Sequence, residues 1–229
     1  VMASSKILGK PYSKEDLPAG RYEERSEEFS CPSMKNKIII FGAMFGAGIS
    51  FLVFLVIFFR QAVAQPPLPR LGHVADFQLL DTRGKEFGLK DLKGKVWVAD
   101  FIFTTCGSIC PLMTKNMAAL QRSYHLVDDA AFVSISVNQE YDSPEILAQF
   151  AKQFAADTNQ WHFLTGPREA ITNLAVKSFK VGSVEEPIFH SAHFVLVDRQ
   201  GSIRGYYEGT QTSDIEKIFK GIAQLLRER

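Results

Sequence analysis

Cys106 and Cys110 stand three residues apart in the stretch "FTTCGSICPLMT". Two chemistries suit such a pair: reversible disulfide formation, and capture of a soft metal by two thiolates. Local position favours the thiolate in either case. Pro111 fits the first turn of a helix, which sets Cys110 at or beside a helix N-terminus, where positive partial charge lowers a thiol pKa. The residue before a proline prefers extended backbone, so the cysteines flank a loop rather than share a helix face. A blander reading is two buried sulfurs that fill space.

Spacing does not choose between redox and metal chemistry. Disulfide oxidoreductases typically use Cys-x-x-Cys, one residue shorter. Two thiolates alone leave a soft metal short of a donor, and an imidazole would favour metal. Five histidines are available. His193 lies in an apolar strand and reads as a core or strand-face residue. His125 and His162 fall at element ends far from the cysteines, and His73 is in a linker. His190 precedes the strand "HFVLVD". If that strand is central, the loop carrying His190 faces the same edge as Cys106.

The elements that must position these residues alternate in type. "VWVADFIF" (96–103) is a continuous apolar run, as in a strand buried on both faces. A helix is expected over 111–126, a strand over 131–137, and a helix capped by Ser143 ahead of Pro144 and Glu145. "WHFL" is a short strand, and Pro167 opens a helix to about Phe179. A hairpin over 193–208 turns at Gly201, and Ser213 with Glu216 reads as a capping box for the last helix. With a short hairpin at 76–87 the order is ββαβαβαββα, an α/β fold with a mixed central sheet flanked by helices. Ligand chemistry in such sheets collects at the C-terminal ends of central strands, and Cys106 lies just past one.

Residues 38–59 carry no charge and no proline. At about 1.5 Å per residue this run crosses a bilayer core of roughly 30 Å. Gly42 and Gly46 would let another helix approach, so other transmembrane subunits are candidate partners. The small residues at 62–64 resemble a signal cleavage site, but the run is long for a signal peptide and Arg60 interrupts it, so an uncleaved anchor is the expectation. Arg21, Arg25, Lys35 and Lys37 precede the span, which predicts an inner N-terminus and an outer C-terminal domain. The domains expected are a polar inner tail (1–36), a transmembrane helix (37–60), a Pro-rich linker (61–73) and an outer α/β domain (74–229). Net charge is +1, which gives no basis for nucleic-acid binding. Three cysteines are too few for a disulfide scaffold, and Cys31 in the tail reads as an incidental reduced thiol.

"KVWVADFIFTTCGSICPLMT" together with "HSAHFVLVDRQG" resembles the Sco/SenC family, the thioredoxin-fold copper proteins of cytochrome oxidase assembly. The likeness runs over about residues 66–226. Cys106, Cys110 and Pro111 match the family's Cys-x-x-x-Cys-Pro. His190 matches its downstream histidine, eleven residues before Gly201. The resemblance implies a thioredoxin-like domain and one copper ion, Cu(I) or Cu(II), held by Cys106, Cys110 and His190. It implies delivery of that copper to the CuA-bearing subunit of an oxidase, from the periplasm or the mitochondrial intermembrane space. Thiol-disulfide enzymes of this fold place a cis-proline where Ala192 stands here, which weakens a reductase reading. Departures are Gly107, where the family often has proline, and Asn138, where it often has aspartate. Met113 and Met117 carry thioethers suited to Cu(I), but their helical spacing reads as core packing. Two alternatives stay open: a reductase of oxidase cysteines, with Cys106 and Cys110 as its redox pair, and a permanent accessory subunit of a respiratory complex.

Overall fold

The computed structural model describes residues 34–63, 66–182 and 191–228, in two units divided after Gln65. Expectations for the N-terminal tail, including Cys31, and for His190 fall outside the described residues.

The first unit contributes helix α1, Met34–Val63. Its stretch Phe41–Phe58 has a mean hydropathy of 2.4 and is long and apolar enough to cross a membrane. Phe41, Phe45, Phe54 and Phe58 are all exposed, as expected of a helix whose apolar surface faces lipid rather than a protein core.

The second unit runs β1 (Gly72–His73), β2 (Gln78–Leu80), β3 (Glu86–Gly88), a 3-10 turn (Leu89–Leu92), β4 (Val96–Ile102), α2 (Cys110–Ser123), β5 (Ala130–Ser136) and α3 (Pro144–Gln153). It continues with β6 (Trp161–Leu164), α4 (Arg168–Asn173) passing into a π-turn (Leu174–Ser178), β7 (His193–Val197), β8 (Ser202–Glu208) and α5 (Thr212–Arg227). Six strands form one sheet in the order β1-β8-β7-β4-β5-β6. β4, β5 and β6 are parallel; β7 runs antiparallel to β4 and β8 antiparallel to β7.

β4 and β5 are buried at every residue, which explains why both are largely apolar without alternation. Alternate residues of β4 serve two cores. Trp97, Ala99 and Phe101 pack with Leu92 and with Ile171, Leu174 and Phe179 of the α4 segment. Val98 and Ile102 pack with Met113 and Met117 of α2, Leu147 of α3 and Ile218 of α5. Both methionines are fully buried, as their spacing predicted.

Three expectations change at element ends. The segment read as a Pro-rich linker to residue 73 is held by the sheet from Leu68 onward. The buried Arg204 guanidinium donates to the Leu68 and Pro69 carbonyls, and β1 pairs with β8. Arg204 can be buried there because Asp198 and Glu228 both pair with it at 3.0 Å. The capping box of Ser213 and Glu216 does not form. The amides of Asp214 and Ile215 bond to the Gln211 carbonyl, so α5 begins at Thr212, while the Asp214 carboxylate accepts from the Glu208 amide. Helix α2 starts one residue early, at Cys110 itself, and stops at Ser123. Elsewhere the boundaries agree: the Ser143 hydroxyl accepts from the Ile146 amide as a helix cap, and Gly201 takes the β7–β8 turn with φ +80°.

One residue of β4 breaks the apolar run. Asp100 is fully buried, on the face toward α2. Ser134 Oγ donates to its Oδ1 at 2.6 Å and accepts in turn from the Trp161 indole at 2.9 Å, while Oδ2 has no partner. Burial, only partly opposed by the Ser134 bond, lifts the carboxyl from 3.8 to about 7. Between those values the folded chain holds a proton that the unfolded chain releases. Stability therefore falls as pH rises from about 4 to about 7, by on the order of 4 kcal/mol. Asp100→Asn should remove that dependence. Urea melts at pH 5 and pH 8 are expected to show the variant gaining on the wild type at the higher pH, and an equal difference at both would refute the assignment.

Candidate metal centre

β4 delivers the chain to the site and Asp142 fixes where it goes next. Thr104, just past the strand end, donates its amide to Asp142 Oδ2 at 3.0 Å and its hydroxyl to Oδ1. Ser136, the last residue of the neighbouring β5, donates to the same Oδ2 at 2.6 Å. Asp142 is itself fully buried. The loop then closes through Cys106 N–H to the Phe103 carbonyl, 3.1 Å, and enters α2. Thr114 Oγ1 donates to the Cys110 carbonyl at 2.7 Å, buried one turn into the helix.

The two sulfurs are brought together and made unlike. Cys106 is partly exposed, while Cys110 is 4% exposed. The cysteines are free thiols, and Cys110 donates to the Cys106 sulfur. For Cys106, partial burial alone would raise the pKa, but hydrogen bonds from Ser108 and Cys110 outweigh it and bring it down to about 7. The Ser108 hydroxyl lies 3.5 Å from that sulfur. For Cys110, burial comes first, then its role as donor to Cys106 and the nearby charges of Cys106 and Asp100, which together push it up to about 12. As pH rises past about 7 the pair comes to hold one proton: an accessible thiolate beside a buried thiol. A soft metal that took both sulfurs would release the Cys110 proton.

The sheet settles the condition attached to His190. β7 is central, between β8 and β4, and pairs Val195 with Ala99 and Val197 with Trp97. Antiparallel register therefore starts β7 at the edge where β4 ends. Ala192 is tied to the thiol helix: Gly209 N–H donates to the Ala192 carbonyl at 2.6 Å, and Asn116 of α2 donates to the Gly209 carbonyl at 2.8 Å. His190 lies two residues before Ala192, outside the described residues. Among the described residues no cluster of three or more His, Cys, Asp or Glu is placed to hold a metal.

The other histidines are elsewhere. His193 is the exposed first residue of β7, so it is a strand-face rather than a core residue. His162 stacks on Phe87 with ring centroids 4.4 Å apart, and burial lowers its pKa to about 4. His125 bonds to the Arg122 carbonyl at the end of α2. Sequence reading missed Asp100 and Ser108, and gave Asp142 no structural task. Its one available signal was an aspartate inside an otherwise apolar strand.

Comparison with known proteins agrees with this arrangement. The SCO1/SenC family profile matches residues 67–227. The SCO1 protein homolog of Bacillus subtilis is 36% identical over 155 residues, covering 65% of this chain and 80% of that protein. The solved structure of BsSco, a member of the Sco family of cytochrome c oxidase assembly proteins described as having a disulfide switch, superposes with a TM-score of 0.62. It is 34% identical and covers 70% of this chain and 98% of its own. Copper-bound ScoI of Arabidopsis thaliana superposes at 0.56 with 26% identity, covering 69% of this chain and 99% of that one. Thiol loop, mixed thioredoxin-like sheet and profile agree, and the chain belongs to the SCO1/SenC family.

Proposed function

We propose that this protein is a membrane-anchored copper carrier that binds one copper ion through Cys106, Cys110 and His190 and passes it by ligand exchange to a cytochrome oxidase, at its CuA site. The observation that carries the reading is the unequal thiol pair at the end of β4, beside the sheet edge from which the His190 segment enters β7. Soft sulfur donors suit Cu(I), and an added imidazole also accommodates Cu(II). The accessible Cys106 thiolate is the natural point of entry and exit, because an incoming ligand can reach it while Cys110 stays covered. The copper-bound state of the Arabidopsis relative and the oxidase-assembly role of BsSco support this reading. Helix α1 would anchor the carrier, with basic residues ahead of the span keeping the N-terminus inside and the carrier domain in the periplasm or intermembrane space.

A second reading is favoured by the same thiol pair. A thiolate next to a protonated partner is also equipped for disulfide exchange, with Cys106 attacking and Cys110 resolving. The two readings part at His190, which exchange does not need.

Reduced wild-type protein should bind one equivalent of copper. Cys106→Ser and Cys110→Ser should each weaken Cu(I) binding by more than the roughly 10–100-fold typical of losing an outer-shell partner. His190→Ala should weaken Cu(II) binding and abolish its thiolate charge-transfer band as formed in the wild type. Full stoichiometry and affinity in Cys106→Ser would sink the carrier reading. Loss of function in cells from the cysteine variants but not from His190→Ala would favour exchange.

The thiols can be ranked separately. Iodoacetamide should modify Cys106 first, with a rate that reaches half its maximum near pH 7, and should leave Cys110 untouched well above that pH. Mass mapping of a pH series checks this, and equal labelling of both cysteines at pH 7 would contradict the hydrogen-bonded pair.

A further inference from the structure

The segment that carries Cys106 is fixed at both ends and loose between them. Five residues, 105–109, separate Thr104 from Cys110. At one end Asp142 takes the Thr104 amide and hydroxyl. At the other, Thr114 Oγ1 donates to the Cys110 carbonyl, and the Leu112 and Met113 amides bond to the Ile109 carbonyl as α2 begins. Between these anchors Thr105, Gly107 and Ser108 are exposed, and a Cβ at Gly107 would meet nothing within 4 Å. The Cys106 amide bonds three residues back, to the Phe103 carbonyl, within the same turn.

Asp142 is itself held from two sides. Its amide donates to the Asn138 carbonyl at 2.8 Å, and the next residue, Ser143, caps α3 through the Ile146 amide. Ser136, at the end of β5, donates to the same carboxylate oxygen that takes the Thr104 amide. One side chain therefore ties the start of the thiol loop to the sheet and to α3.

We propose that Asp142 is a positioning residue that sets the reduction potential of the Cys106–Cys110 pair. It acts through Thr104, two residues before Cys106. The Cys110 thiol donates to the Cys106 sulfur, so the anchored ends keep the two sulfurs in contact. Groups held in contact react as though each faced a high concentration of the other, and here that advantage favours the closed disulfide. In closing, the sulfurs form an S–S bond and give up two protons and two electrons. A small-molecule disulfide takes them as its own S–S bond breaks into two thiols. A loop released at Thr104 would lose that advantage, because loop-closure entropy then opposes the step. The proposal concerns the metal-free pair and holds whether that pair carries copper or exchanges disulfides.

The full chain, in detergent micelles and on a Cys31→Ser background so that only the pair reports, is equilibrated in glutathione and dithiothreitol buffers. Asp142→Ala removes all three bonds. It should lower the equilibrium constant for closure about tenfold, a shift of about 30 mV to less negative potential. Asp142→Asn should recover most of the loss. Its oxygen can serve the Thr104 amide and the Ser136 hydroxyl, and its NH2 can donate to the Thr104 hydroxyl, which turns to accept. Gln121→Ala breaks two bonds to the Asp157 backbone farther along α2, and should cost stability without moving the potential. Should Asp142→Ala not fold, Thr104→Val, which keeps the amide bond, should shift the potential the same way by less. An unmoved or more negative potential in the variant that folds would overturn the proposal. So would an equal shift in Gln121→Ala, an Asp142→Asn protein no closer to wild type than Asp142→Ala, or a wild-type pair that forms no disulfide. No copper enters the assay, so its outcome is separate from that of the copper titrations.

Discussion

Asp142 is the interaction on which the thiol site depends. β4 ends between two paired strands, so the chain leaving it loses its ladder partners. The Asp142 carboxylate replaces them, taking the Thr104 amide and hydroxyl and the Ser136 hydroxyl together. A buried carboxylate is tolerable because these donors compensate its lost hydration, and the donors are tolerable because the carboxylate is there. Ser136 belongs to β5 and Thr104 to the loop beyond β4, so the bond sets the loop against the sheet. Cys106 follows two residues later, and its position is inherited from this anchor.

From that anchor the asymmetry of the sulfurs follows. The loop leaves Cys106 partly exposed, and the helix start buries Cys110. Burial keeps the proton on Cys110, and the Cys110 thiol then stabilises negative charge on Cys106. Asp100 adds to the first effect from below, on the face of β4 toward α2. Gly107 sits between the sulfurs with open space around its Cα, and its backbone is not in the left-handed region that requires glycine. Nothing in the structure demands glycine there.

Much of this was legible in the sequence, and the part that was not has a common cause. Apolar runs located β4, β5 and β7 because strands buried on both faces need no alternation. Pro111, Ser143 and Gly201 marked their turns because each acts on neighbouring residues. Asp100 and Asp142 could not be interpreted, since their partners Ser134 and Thr104 lie 34 and 38 residues away. The same limit explains the misread linker, whereas the start of α5 was misread from local contacts. Ser213 and Glu216 have capping-box spacing, but α5 begins earlier, with Asp214 drawn to the Glu208 amide. The proline-rich stretch looks like a free spacer until Arg204, 136 residues from Leu68, takes its carbonyls.

The candidate donors come from segments eighty residues apart in the sequence, and the start of β7 is tied to α2 by a short chain of contacts. Asn116 holds the Gly209 carbonyl, and Gly209 N–H holds the Ala192 carbonyl. A Cβ at position 209 would fall 3.0 Å from that carbonyl oxygen and 3.2 Å from both Met113 Cε and Phe194 Cε1, so a side chain there would push its neighbours back by a few tenths of an ångström. This contact holds Ala192, just ahead of β7, close to the helix that starts at Cys110. It uses the carbonyl of Ala192, the position at which thiol-disulfide enzymes of this fold carry a cis-proline. The strand end is thus tied to the thiol helix by the Asn116 side chain, through the Gly209 backbone and a close glycine contact.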